Sequence, residues 1–154
     1  MLPATASRVE NATSADINQR FAVEIEASIR HHAEHPEEID RRLDELDYEW
    51  DIERTLEANA ATLALSGTLL GAFVDRRFLI LPAVVTGFLL QHALQGWCPP
   101  VPVFRRLGVR TTAEIDRERY ALKALRGDFT GLERTAPDEA PARRAHRAVE
   151  AAGA

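Results

Sequence analysis

Apolar positions recur every three or four residues in the first third of the chain. They then merge into two almost uninterrupted apolar runs, return to an amphipathic period, and dissolve into alanine, proline and charge. Over residues 16–34, Ile17, Phe21, Ile25 and Ile29 stand four apart, which predicts a helix with one apolar stripe. Ser14 or Asp16 suits its N-cap, and Pro36 ends it. Pro36 also fits the first turn of a following helix, with Glu37 and Glu38 near its positive end. In that helix Ile39, Leu43, Leu46, Trp50 and Glu53 step by four and three, a narrow seam with a strongly acidic opposite face. No Gly or Pro interrupts residues 37–66, so the helix is expected to continue into the first apolar run.

Residues 59–74 carry no charge, residues 75–77 are Asp-Arg-Arg, and residues 78–104 carry no formal charge. Pro99, Pro100 and Pro102 place the end of the second apolar helix near Trp97. About 20 helical residues reach about 30 Å, the thickness of a hydrocarbon core. Residues 78–97 satisfy that length. Residues 56–74 do so with help from snorkelling Arg54 and Arg76. The hydroxyls of Thr62, Ser66, Thr68 and Thr86 can bond back to their own helices, leaving no polar face. The expectation is an all-α fold: a two-helix transmembrane hairpin flanked by amphipathic cytoplasmic helices. The alternative is a soluble helical bundle with a buried hairpin. Gly67 and Gly71, and Ala83 and Gly87, repeat a small-x-x-x-small spacing that lets helix backbones approach in lipid, against the other hairpin helix or a second chain. His92 and Gln95 share a face inside the second span and suit interhelical hydrogen bonds, while Trp97 suits an interface anchor.

Beyond residue 104, Thr111 or Thr112 with Glu114 reads as a helix start. Ile115, Tyr120, Leu122 and Leu125 form a loose apolar face, and Gly127 a stop. This helix is expected on the membrane surface or against the N-terminal helix. The chain therefore divides into a disordered arm (1–15), N-terminal amphipathic helices (16–54), the hairpin (55–104), a C-terminal amphipathic helix (105–129) and a disordered tail (130–154).

Charge adds orientation. Arg41, Arg42 and Arg54 on one flank, and Arg105, Arg106, Arg110, Arg117, Arg119 and Lys123 on the other, outnumber Arg76 and Arg77 in the turn, which places both termini in the cytoplasm. A net charge of −5 offers no basic surface for nucleic acid. The opening residues lack a basic start followed by an apolar run, so no secretory leader is expected, and the sequon at Asn11 has no secretory route to use. His31 and His35 stand four apart, a spacing that can chelate a metal, but a solvated histidine cluster is the expectation. No nucleophile triad, phosphate loop or paired intramembrane carboxylates are visible, so neither an enzyme nor a cofactor is expected.

One cysteine excludes a disulfide framework within the chain. Cys98 follows Trp97 at the hairpin exit, and a thiolate there would gain from Arg105 and Arg106 but lose from the negative end of a helix. Its plain role is packing at a sharp turn. Its alternative role is a redox, persulfide or acylation thiol.

Glu53-Arg54, a short glycine-bearing span, a tight turn, a second span, then Gly96-Trp97-Cys98-Pro99 and Leu107-Gly108 resemble the small two-helix inner-membrane domain of YgaP-like proteins. The likeness covers residues 52–111, and the G-x-C-P after the second span is its most specific part. It implies a bacterial inner-membrane, multi-pass location. Some members carry a rhodanese domain beside the hairpin. This chain has no room for one, so sulfurtransfer does not carry over. The resulting expectation is a non-enzymatic, membrane-anchored interaction or assembly module. Its partners would be the lipid bilayer, further copies in a homodimer or other homo-oligomer, and a cytoplasmic protein docked on the N-terminal helices.

Overall fold

A computed structural model describes residues 4–130 and 141–153, and every regular element among them is helical. After a 3-10 turn at Thr5–Ser7 come α1 (Arg8–Asn11), α2 (Ala15–Glu34), α3 (Ile39–Tyr48), α4 (Ile52–Phe73), α5 (Ile80–Gln95), α6 (Val101–Arg106), α7 (Thr112–Arg126) and α8 (Pro141–Gly153). Further 3-10 turns lead into α3 and α5.

The helices form two parts of opposite character. α7 packs against both α2 and α3, and its Ile115 and Leu122 join Ile39, Leu43 and Leu46 of α3 in one buried cluster. The apolar stripe of α2 turns Ile17, Phe21 and Ile25 inward. α7 opens with a capping box, in which the Thr111 hydroxyl accepts from the Glu114 N–H and the Glu114 carboxylate from the Thr111 N–H. It closes at Gly127, whose φ of 92° is the left-handed conformation glycine adopts without strain. α7 thus lies against α2, one of its two expected sites.

α4 and α5 form the antiparallel hairpin. Their turn is fixed by Asp75, whose carboxylate accepts from the Arg77 N–H at 2.8 Å. A Cβ added at Gly67 would stand 2.6 Å from Pro82 Cδ, and one at Gly71 would stand 2.5 Å from Leu79 Cδ2. The first small-residue pair is therefore filled within the same hairpin, Gly67 by α5 and Gly71 by the 3-10 turn that leads into it. Ala83 and Gly87 face outward, with nothing within 4 Å of a Cβ at Gly87. The hydroxyls of Thr62, Ser66, Thr68 and Thr86 each donate to a carbonyl four residues back at 2.7–2.8 Å.

Most of the hairpin's large apolar side chains are exposed: Leu63, Leu65, Leu69 and Phe73 on α4, and Ile80, Val84, Phe88, Leu90 and Leu94 on α5. Among the described residues one helical stretch, Arg76–Gln95, is long and apolar enough to cross a membrane, and only 6% of its most apolar window is buried. The expected first span, 56–74, falls within α4 except for Val74, its C-cap. Glu57, Asn59 and several small or hydroxylated residues dilute its apolar character.

Several expectations need correction. The uninterrupted helix over 37–66 does not form. The chain breaks at residues 49–51, where Asp51 adopts an extended conformation and its side chain accepts from the Arg54 N–H. An acidic N-cap stops and restarts a helix without glycine or proline. Trp50 consequently leaves the seam and lies exposed under the Arg54 guanidinium, 4.4 Å from its ring centroid. The arm expected to be disordered contains α1, with Val9 buried. The expected tail contains α8, with Ala151 buried, while residues 131–140 of that tail lie outside the described residues. α5 ends at Gln95 because Gly96 takes a φ of 75°, and Pro102 then fits the first turn of α6.

Candidate functional site

Opposite the Asp75 turn, the open end of the hairpin collects the buried chemistry of the molecule. Val9, Ile52, Leu56, Cys98 and Val101 form a small apolar cluster there, flanked by Phe104 and Val109. Gly96 turns the chain so that Cys98 folds back into this cluster instead of continuing along α5. The Cys98 side chain also borders an apolar cleft of roughly 240 Å³ lined by Leu63, Phe88, Pro99 and Phe104.

Beside the cluster stands a chain of three charged or titratable groups from three elements. Glu53, in the first turn of α4, accepts from Arg8 of α1 at 2.7 Å through Oε1. Its Oε2 lies 2.9 Å from Nε2 of His92 on α5. His92 is only 3% exposed, and its Nδ1 has no partner. With Glu53 as acceptor, Nε2 carries the proton of this contact. His92 thus bonds to the other hairpin helix, while Gln95 and Trp97 are exposed.

The expected thiolate-stabilising role of Arg105 and Arg106 is not what the geometry provides. Arg105 is fully buried, and every N–H of its guanidinium is engaged elsewhere. It holds the Glu114 carboxylate through two bonds at 2.6 and 2.7 Å, the Val109 carbonyl at 3.1 Å, Asn18 Oδ1 at 3.1 Å and Thr13 Oγ1 at 3.3 Å. Its plane lies 4.3 Å from the Phe21 ring centroid. Arg106 is exposed. Burial pushes the Cys98 thiol above its ordinary value. The Val101 N–H pulls it down, the nearby Glu53 charge pushes it further up, and the net direction is up. A shift in this direction favours the protonated thiol over the thiolate.

A second charged centre joins the three flanking helices. Glu118 of α7, almost fully buried, accepts from Ser28 of α2 at 2.6 Å and from Arg42 of α3 at 2.8 and 3.1 Å, and also from Arg110. Arg110 in turn grips Glu49 at the α3–α4 break. Burial alone would raise the Glu118 carboxyl, but the bonds from Arg42, Ser28 and Arg110 outweigh it and hold the carboxyl at about 2. The Glu114 carboxyl is lowered in the same way, burial opposing and Arg105 and Thr111 prevailing.

His31 and His35 do not share a helix face, because α2 ends at Glu34 and His35 leaves the helical conformation; their rings still lie 4.7 Å apart, but each leans on a carboxylate, Glu38 for His31 and Glu37 for His35. Among the described residues no group of three or more His, Cys, Asp and Glu could hold a metal ion.

The sequence pattern puts Glu53 on the seam period and beside Arg54 in the resemblance, and gives no sign that it bonds His92 and Arg8. The nearest hint is a carboxylate one turn before the apolar run, on the element that packs opposite His92. No family model, curated protein or solved structure matches the chain.

Proposed function

We propose that the protein is a membrane-anchored interaction module of the YgaP-like two-span kind, with the α4–α5 hairpin as anchor and α2, α3 and α7 as a cytoplasmic platform. The observation that carries this reading is the exposure of the hairpin. Its long apolar side chains point outward along most of both helices, whereas the other helices bury theirs in a core of their own. A continuous apolar surface of that extent on a soluble monomer would drive aggregation, and lipid removes the penalty. The hydroxyls satisfied within their own helices fit the same setting. α5 is the principal span. The shorter apolar part of α4 crosses beside it, held close through Gly67 and Gly71. Arg54 and Arg106, exposed at the open end, sit where cationic side chains flank a cytoplasmic leaflet.

The platform gives the module its task. α2 and α3 expose Glu24, Glu26, Glu34, Asp44, Glu45 and Asp47, and the turn between them Glu37, a surface for a basic cytoplasmic protein. The open Ala83 and Gly87 face of α5 is the side on which a second hairpin would pack. Cys98 enters this reading as a packing residue at the hairpin exit. Bacterial membranes carrying the protein, washed at alkaline pH, should retain it in the pellet, and release into the supernatant would overturn the anchor. In mild detergent, Gly87→Leu should weaken self-association while leaving helicity intact, and unchanged association would remove the oligomer from the reading.

A further inference from the structure

The first described residues of the chain cover the open end of the hairpin by a contact that is close but poorly satisfied. The Arg8 carbonyl lies so near Gly96 that a Cβ there would come within 2.3 Å of its oxygen. Val9 fills the socket made by Ile52, Leu56, Cys98 and Val101. Arg8 closes over Glu53, the residue that also holds His92. Among the described residues three buried side-chain atoms have no hydrogen-bond partner: Arg8 Nε, Glu10 Oε1 and His92 Nδ1. Two of them lie on the covering segment, and the third belongs to the histidine linked to it through Glu53. Buried polar atoms without partners are rare in folded proteins, and each regains water if the contact opens. They are absent from the Arg105 and Glu118 networks, which hold the rest of the fold.

The segment also has a firm root. The Thr13 hydroxyl donates to the Val9 carbonyl at 2.7 Å and accepts from Arg105, and Asn18 of α2 donates to the Glu10 carbonyl at 2.9 Å. Besides these bonds to its Val9 and Glu10 carbonyls, of which opening gives up the one from Asn18, the segment is held to the hairpin by the Val9 side chain, the Arg8–Glu53 ion pair and the Gly96 contact. We propose that residues 5–12 form a releasable strap that masks Cys98 and His92 together, opening about the Thr13–Ser14 root without unfolding α2, α3 or α7. Opening vacates the Val9 socket, frees one oxygen of Glu53, and gives the Cys98 thiol and the His92 ring access to the same space. The strap thus closes the Val9 side of the hairpin exit at rest, opposite the apolar cleft that Cys98 also borders.

The single thiol makes these excursions measurable in the full chain. The probe is N-ethylmaleimide, reacted with the protein in mild detergent at fixed pH over a range of urea concentrations below unfolding. Strap opening exposes little surface, so the labelling rate should be nearly independent of urea until global unfolding takes over. Arg8→Ala should raise the urea-independent rate about tenfold, the factor expected for losing roughly one net interaction. Arg41→Ala, which removes an exposed pair with Glu38 on α3, should leave the rate unchanged. Hydrogen exchange should show residues 8–12 opening faster in Arg8→Ala, with the amides of α2 and α7 unaltered. The wild-type protein alone can overturn the proposal, since labelling that rises with urea along the full unfolding slope means that Cys98 is reached only by global unfolding. Equal urea-independent rates in wild type and Arg8→Ala would also overturn it.

Discussion

Arg105 and Glu114 face each other in two charge-assisted hydrogen bonds, of 2.6 and 2.7 Å, at a point where both side chains are all but closed to solvent. The pair ties the hairpin exit to the start of α7, and through Asn18 and Thr13 it also ties both to α2 and its approach. Removing one member leaves a buried charge without its counterion. Glu114→Ala should therefore cost about 3–5 kcal/mol of stability. Replacing both, as Arg105→Leu with Glu114→Leu, should cost less than either single change, because no uncompensated charge remains. Urea unfolding in mild detergent, followed by circular dichroism, gives the comparison. A double variant less stable than both singles would show that the pair is stabilising in itself and not merely costly to break.

The carboxylates of these networks set the response to acid. The folded Glu118 carboxyl stands at about 2, below its ordinary 4.5, so the unfolded chain binds its proton first as pH falls. Stability from this group is complete above pH 4.5 and is lost as pH drops toward 2. A depression of that size corresponds to roughly 3 kcal/mol, with Glu114 adding in the same direction. Glu118→Gln should lower stability at neutral pH and flatten the decline between pH 5 and pH 2. An acid limb as steep in the variant as in the wild type would assign the decline to other groups.

The helical character and the apolar hairpin were legible because periodicity and hydropathy are local properties. The Thr111–Glu114 capping box and the Gly127 stop were legible for the same reason. The break at Asp51 was not. An N-cap inside a helix-permitting run is recognisable only once the Arg110 carbonyl takes the Ile52 N–H at 2.8 Å and Thr112 bonds the Asp51 carboxylate. The partners of Arg105 were hidden for a different reason. Asn18 and Glu114 lie far from it or on another helix, and spacing along the chain carries no information on which carboxylate an arginine will choose. Cys98 next to Arg105 in sequence suggested a stabilised thiolate, whereas the fold gives Arg105 to Glu114 and places Glu53 near the thiol.

The two small-residue pairs should respond oppositely to the same change. A methyl at Gly67 would meet the Pro82 ring at 2.6 Å and Leu81 Cβ at 3.0 Å, and neither the proline ring nor a Cβ can swing aside. Gly67→Ala should push the hairpin helices apart and destabilise it. Gly87→Ala meets open space and should gain up to about 1 kcal/mol of helix propensity. Disulfide trapping between cysteines introduced on α4 and α5 in a Cys98→Ser background reports their separation. Equal trapping efficiency in both variants would mean that Gly67 does not set the approach.

Asp51 joins the two halves of the molecule in a single side chain. One carboxylate oxygen accepts from the Arg54 N–H at 2.8 Å and caps α4, and the other accepts from the Thr112 hydroxyl at 2.5 Å at the start of α7. Asp51→Ala removes both, at about 1 kcal/mol for the cap and about 1 kcal/mol for the hydroxyl bond. Asp51→Asn keeps an oxygen for the cap and should recover about half of the loss. Thr112→Val removes only the hydroxyl bond. If the amide oxygen of the asparagine variant is spent on the cap, that cost should equal the stability the asparagine variant itself loses relative to wild type. Unfolding measurements on the three variants decide this, and an asparagine variant as unstable as alanine would mean that the charge, acting on the positive start of α4, stabilises the junction more than its hydrogen bonds do.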